Sequence, residues 1–332
     1  MKRFLVLLVA VLMCSMVAGP AFAAQKWKVA HIRPADSEID KELTWFANEI
    51  REATKGEIDI QIFGSSQLGD YTVVQERVGI GSVEMSCESV ATQVDKKLLI
   101  ATMQYIFFDY DSAKKNIATG APLANYMDSL FKKQDIKVLA WWPVYFGGIG
   151  LTKEPADPKN PNAPQKLKVR VPTMKTFEVM ANSIGYQATP LPFSEFFTAA
   201  QTGMVEGIVG GGAESYYSNF KDLIRYYVPA NTHFEVWPLL INAELYDSLS
   251  QEYKDILTAK AAEFEARRWT KAEQDQTHYE ELLAQAGCTI IPLNTEELKA
   301  FADKGREVVF PEFKKVVGDA AYKEIFDTIV LE

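Results

Sequence analysis

Arg170 offers the clearest chemistry in this chain. In Leu167-Lys168-Val169-Arg170-Val171-Pro172 the apolar side chains alternate with Lys168 and Arg170. That is the period of a strand, so Arg170 points away from the face that Leu167, Val169 and Val171 bury. It ends its strand just before a helix, and in α/β sheets ligands gather at the carboxyl ends of strands. A guanidinium there grips a carboxylate through two parallel hydrogen bonds. From spacing alone, a surface arginine on a strand rim is the plainer reading. Arg33 follows the first strand and holds a similar position. Other reactive types are sparse. His31, His233 and His278 have no Cys, Asp or Glu partner at metal-ligand spacing. There is no nucleophile elbow, phosphate loop or zinc-protease helix motif. Gly207-Ile208-Val209-Gly210-Gly211-Gly212 does not fit a dinucleotide fingerprint. Such a run marks backbone that must bend, or backbone that a ligand approaches closely. No acid–base pair stands out by spacing. The residues therefore point to binding without catalysis, and no cofactor or metal is expected.

The elements that position these residues alternate between strand and helix. Trp27 to Ile32 reads as a strand. Asp36 or Ser37 caps a helix whose Ile39, Leu43, Phe46, Ile50 and Ala53 fall on one face. Ile58, Ile60 and Ile62 alternate with polar residues as a second strand, and Thr72 to Val78 starts another helix. This βαβ opening predicts an α/β domain with a largely parallel sheet. Further on, Ala113 to Lys133 reads as one helix and Ile136 to Trp142 as a strand ending at Pro143. Glu154 to Pro164, with a proline at every third position, is a solvated loop. Thr173 to Ile184 and Phe193 to Thr202 read as helices, and Val205 to Val209 as a short strand. Leu249 to Ala286 has no Pro or Gly. It is either two helices with an unmarked break or one helix, kinked or straight, of about 55 Å that lies across both domains.

The chain has 332 residues, 35 Lys+Arg and 44 Asp+Glu. An acidic chain without a basic block would repel the phosphates of nucleic acid, and the length suggests about two domains. Lys2 and Arg3 precede the apolar run Phe4 to Val17, and Ala21-Phe22-Ala23 follows as a small-residue cleavage signal. This is the pattern of a cleaved secretory signal peptide. The run is too short to span a hydrocarbon core of about 30 Å comfortably. Met13 before Cys14 argues against a lipoprotein, since a small residue is expected there. The mature chain keeps Cys87 and Cys288, read as buried small hydrophobes.

Several segments, in order, resemble the DctP-type solute-binding proteins of tripartite ATP-independent periplasmic (TRAP) transporters. They are Phe46-Ala47-Asn48-Glu49-Ile50 through Thr54-Lys55-Gly56-Glu57-Ile58, Phe63 to Gly69 with Gly64 where the family has Pro, and Gly81-Ser82-Val83-Glu84-Met85. Ile136-Lys137-Val138-Leu139-Ala140, Lys168-Val169-Arg170-Val171-Pro172 and Gln201-Thr202-Gly203-Met204-Val205-Glu206-Gly207 continue the series. Each segment is permissive alone; their order and spacing together are specific. The resemblance implies a periplasmic, two-lobed α/β receptor. Each lobe would be a mixed, mostly parallel sheet flanked by helices, with hinge strands between them and a long helix spanning both. It implies a protein that closes on an organic acid and delivers it to the small and large membrane subunits of a permease for sodium-coupled uptake. It places Arg170 on the family's carboxylate-binding arginine. The expected organisation is a signal peptide over 1–24, a first lobe over 25–145 with 230–250 returning to it, and a second lobe over 146–229 with 287–293 returning. The long helix then covers 250–286 and C-terminal helices cover 294–332.

Two departures bear on the ligand. The family's second arginine, in a G-F-R-x-x-T segment, is absent from Gly147-Gly148-Ile149-Gly150-Leu151-Thr152, and Gly210 stands where many members have Asn. Both losses remove polar grips, and the glycines are expected to make room. The approach to the site is aromatic, with Trp142 and Tyr145 in Trp141-Trp142-Pro143-Val144-Tyr145-Phe146. The expected ligand is a monocarboxylate with a bulky apolar or aromatic group. One arginine would leave a second ligand carboxylate buried and unpaired. The alternative makes Arg33 the second grip and keeps a C4-dicarboxylate or sugar acid in play; a sensor module would look the same in sequence. Glu88, after the Val83–Ser86 strand, is a candidate for a ligand amine or hydroxyl, or for pairing with Arg33. Met174, Phe193, His233 and Trp237 complete the candidate set.

Overall fold

The computed structural model describes residues 24–330. The signal-peptide reading lies outside them, Ala24 excepted. The strands in chain order are β1 (Gln25–Ala30), β2 (Ile58–Phe63), β3 (Met85–Cys87), β4 (Ile136–Phe146), β5 (Gly148–Leu151) and β6 (Lys168–Val171). They continue as β7 (Gln187–Pro190), β8 (Gly207–Gly211), β9 (Tyr226–Val228), β10 (Phe234–Asn242) and β11 (Thr289–Ile290). They form two sheets, β2-β1-β3-β10-β4 and β11-β9-β5-β8-β6-β7. Each sheet is parallel but for one strand. β10 runs antiparallel to β3 and β4, and β5 runs antiparallel to β8 and β9. Both odd strands follow a passage of the chain between the sheets. Gly147 alone separates β4 from β5, and Asn231 to His233 lie in the return before β10. The fold is two-lobed α/β, with helices flanking both sheets.

The helix Glu38–Ala53 buries Ile39, Leu43, Phe46, Ala47 and Ile50, the stripe its spacing predicts. The expected single helix over Ala113 to Lys133 is two, Tyr110–Ile117 and Pro122–Lys132. The sequence Gly120-Ala121-Pro122 explains the break, because glycine takes φ +90° and proline starts the second helix at its first turn. β4 does not end at Pro143 but runs on to Phe146. Proline is tolerated there because β4 is an edge strand and its pairing with β10 shifts register at that point.

The long segment after Leu249 is two helices, Gln251–Trp269 and Ala272–Gln285, joined at Thr270 and Lys271. The first packs on the first sheet, with Phe264 edge-on to Phe46 at 5.8 Å and stacked on Trp142 at 6.4 Å. The second packs on the helix Ala213–Phe220 beside the second sheet, where Tyr279 meets Tyr217. The pair thus spans both lobes with a kink between. Arg268 pins the kink. Its Nε and Nη2 donate to the carbonyls of Pro143 and Val144 at 2.8 and 2.9 Å, and Nη1 pairs with Asp275 across the break. Among the described residues no helix is long and apolar enough to cross a membrane.

Candidate ligand-binding site

A narrow cavity of about 30 Å³ lies between the two sheets. Three charged side chains line it, each delivered by a different strand: Arg33 after β1, Arg170 at the end of β6 and Glu235 on β10. Their relative exposures are 2%, 1% and 6%, so water screens their charges little.

The turn after β2 holds Arg33. Ser65 N–H donates to the Arg33 carbonyl at 2.7 Å, and Ser66 N–H to that of His31. Gly64 permits this closeness; a Cβ there would lie 2.8 Å from the His31 ring. Crowding by His31 thus accounts for glycine where the family has proline. The Arg33 guanidinium donates to Glu214 Oε2 at 3.0 Å and to the Tyr145 hydroxyl at 2.7 Å. Glu214 belongs to the helix after β8, so this ion pair joins the two lobes. Burial lowers the Arg33 pKa, but Tyr145 and Glu214 outweigh it and hold the group above its ordinary value.

Arg170 is held differently. Its Nε donates to the Leu191 carbonyl at 2.8 Å, and its guanidinium lies over the Phe193 ring at 5.7 Å. Among the described residues it has no carboxylate partner within 4.0 Å. Burial therefore dominates and pulls its pKa down. A buried cation without an anion is costly until one arrives.

Glu235 sits between His233 and Trp237 in sequence, and the alternation of a strand puts the three side chains on one face. Trp237 Nε1 donates to Glu235 Oε1 at 2.6 Å, and His233 Nε2 donates to Oε2 at 2.9 Å. The Glu235 carboxylate can only accept, so Nε2 carries a proton, while the Thr232 hydroxyl, able to donate or accept, lies 3.1 Å from Nδ1. Burial alone would raise the Glu235 pKa, but His233, Trp237 and Arg33 outweigh it, and the carboxyl stays below its ordinary value.

Of the residues singled out in the sequence, Arg33, Tyr145, Arg170, Met174, Phe193, Gly210 and Trp237 line the cavity. Trp142, Glu88 and His233 do not. Trp142 lies behind Trp237, 5.8 Å between ring centroids, with the Arg268 guanidinium 4.7 Å from its ring. Glu88 is buried with neither carboxyl oxygen hydrogen-bonded, and burial pushes its pKa well up. It does not pair with Arg33, whose carboxylate is Glu214. The glycines do not all make room for a ligand. A Cβ at Gly147 would collide with the His233 ring, and at Gly148 with Tyr227; protein side chains take that space. Gly210 borders the cavity with φ +97°, and a Cβ there would meet Pro172 at about 2.5 Å. Sequence reasoning missed Glu235, Tyr71, Phe177, Ser89 and Thr102 on the wall. Glu235 carried a usable signal, being two residues from each of His233 and Trp237. The tyrosine, phenylalanine, serine and threonine carried none. A second, open cleft shares Tyr71 and Met174 with the cavity and is lined as well by Lys96 and Lys175. Among the described residues no cluster of His, Cys, Asp and Glu could hold a metal ion.

The profile of bacterial extracellular solute-binding protein family 7 (DctP) matches residues 29–315. The chain is 22% identical over 294 residues to the C4-dicarboxylate-binding periplasmic protein DctP of Rhodobacter capsulatus, covering 88% of this chain and 87% of that protein. It superposes on a TRAP periplasmic solute-binding protein from Haemophilus influenzae with bound L-gulonate at a TM-score of 0.82 and 21% identity, covering 91% of this chain and 98% of that one. DctP7, a Bordetella pertussis extracytoplasmic solute receptor binding pyroglutamic acid, gives a TM-score of 0.80 at 20% identity, covering 92% and 99%. At such identities the structural likeness is one of fold. The profile match is decisive for kinship. This chain belongs to the DctP family of TRAP solute-binding proteins, which are receptors and not enzymes.

Proposed function

We propose that this receptor takes up a small organic acid with a single carboxylate, held by Arg170 as the lobes close, and hands it to the small and large membrane subunits of a TRAP permease. The observation that carries this is the Arg170 guanidinium, buried in the inter-lobe cavity without an anion. In this reading a ligand carboxylate supplies the missing charge. The lobes follow the two sheets, with 25–145 and 230–250 in one and 146–229 and 287–293 in the other, and the strands passing between them act as hinges. A leader over 1–24 would place the protein in the periplasm. The relatives' names support an acidic solute: a C4-dicarboxylate, L-gulonate and pyroglutamic acid are each a small carboxylic acid.

An aromatic substituent on the ligand finds less support than a single carboxylate does. Phe193 and Trp237 present their rings to the Arg33 guanidinium at 5.4 and 4.8 Å, and Phe193 also faces Arg170. Those faces are taken by cations. A C4-dicarboxylate or sugar acid is the second reading, favoured by Arg33 on the same wall; it requires Arg33 to leave Glu214 or to serve both.

Differential scanning fluorimetry against an organic-acid panel tests the proposal, since a ligand of the native state raises the melting temperature, by about 2.7 kcal/mol of stability at 100 times Kd. Monocarboxylates should shift it and their amides should not. A shift with amides as large as with acids removes the carboxylate grip.

A further inference from the structure

Three charged side chains line the cavity, and one of them, Arg33, is neutralised by Glu214 behind the wall. Arg33 and Glu214 form a buried pair at 3.0 Å. That leaves Arg170 and Glu235. Glu235 accepts from Trp237 and His233, and both can donate as neutral groups. Among the described residues no Lys or Arg lies within 4.0 Å of its carboxylate. The cavity thus carries one cation without a carboxylate and one carboxylate without a Lys or Arg at contact distance, and the sheet topology puts them on opposite lobes, on β6 and β10.

We propose that Glu235 is the second grip of this site and receives a protonated amine, so that the solute is an amino or imino acid. This rests on Arg170 being the carboxylate grip. A zwitterion supplies each buried charge with its opposite and leaves the closed cavity without net excess. A dicarboxylate would set its second carboxylate against Glu235, and like charges buried together oppose binding. A hydroxyl in place of the amine still donates a hydrogen bond to Glu235 but leaves the carboxylate without a counter-charge. His233 and Trp237 are positioning residues. They hold the carboxylate at the wall and hold it ionised.

Isosteric ligand pairs provide the test. Calorimetry on the chain from residue 25, at pH 7, compares L-proline with tetrahydrofuran-2-carboxylate and L-phenylalanine with 3-phenyllactate, alongside succinate and galacturonate. The wild-type protein should bind the amine of at least one pair tenfold or more tighter than its oxygen partner. Glu235→Gln should bring that ratio within about threefold. Arg170→Ala should weaken both members together. Wild-type binding of an oxygen isostere, succinate or galacturonate as tight as that of the amines overturns the proposal, whether or not the variant folds. So does a wild-type protein that binds neither amine at millimolar concentration. Retained amine preference with no effect of Arg170→Ala would instead overturn the carboxylate reading and leave Glu235 in its role.

Discussion

Arg33 and Arg170 face one cavity and are equally buried, yet their surroundings differ in kind. Arg33 has a carboxylate, a phenol and two aromatic faces, all supplied by the chain. Arg170 has one carbonyl and one aromatic face. The first arginine is complete within the protein and ties lobe to lobe. The second is left incomplete by the protein. A charge that the chain satisfies ties its two lobes together; a charge that it leaves unsatisfied is, in the proposed reading, the one a ligand carboxylate completes.

Arg170→Ala should break this contrast most strongly. Binding of a cognate carboxylate should weaken by about 2–5 kcal/mol. The melting temperature without ligand should be unchanged or higher, because a buried unpaired cation has gone; calorimetry and a thermal melt read the two effects. A large fall in ligand-free stability would show that Arg170 is a structural group like Arg33.

Arg33→Ala should act in the opposite sense. Glu214 is then buried without its partner, at about 1.5–3 kcal/mol for the lost charged hydrogen bonds. Opening the lobes lets water reach Glu214, so the cost falls on the closed state. Small-angle scattering should show the ligand-free variant expanded relative to wild type, and Glu214→Gln should do the same more weakly. Unchanged scattering in both would remove the inter-lobe tie.

Gly147→Ala probes the support behind the wall. A Cβ there meets His233, and overpacking of this kind costs about 1–3 kcal/mol. A displaced His233 gives up Glu235, so the melting temperature should fall and ligand affinity with it. Affinity unchanged beside a lower melting temperature would separate His233 from the site.

The smallest effect concerns a carboxyl far from the ligand. Asp128 accepts from Trp141 Nε1 at 3.0 Å, but burial dominates and raises its pKa to about 6 from 3.8. Its folded pKa lies above the unfolded one, so its contribution is fully present below about pH 4 and is lost as pH rises through about 6. Asp128→Asn should flatten the fall in melting temperature across that window by a few degrees at most. A wild-type slope retained in the variant removes Asp128 as its source. Glu235, with two donors and Arg33 near, is moved the other way.

The sequence made the frame legible because burial imposes periodicity. The strands, the helix over Glu38–Ala53 and Arg170 at its strand end all follow from alternation and spacing. What periodicity cannot express is partnership between distant residues. Arg33 and Glu214 are 181 positions apart, and no local pattern in either announces the other. The glycines misled for the same reason. Gly147 and Gly148 look like empty space along the chain, whereas side chains of His233 and Tyr227 fill it. Trp142 looked like a ligand wall because aromatics near a strand end often are; the helix Gln251–Trp269, arriving a hundred residues later, makes it core.

The placement of β10 also governs how the chain can become a protein. It is the strand between β3 and β4, yet it follows β4 by nearly ninety residues. Until Phe234–Asn242 has arrived, β3 and β4 have no common neighbour and expose unpaired edges. The first lobe therefore cannot finish on its own, however early its residues are made. A fragment ending at Phe146 should be insoluble or unfolded, and pairing over so long a loop makes folding slow. The chain of the second sheet from β5 to β9 is therefore made before the first sheet can close.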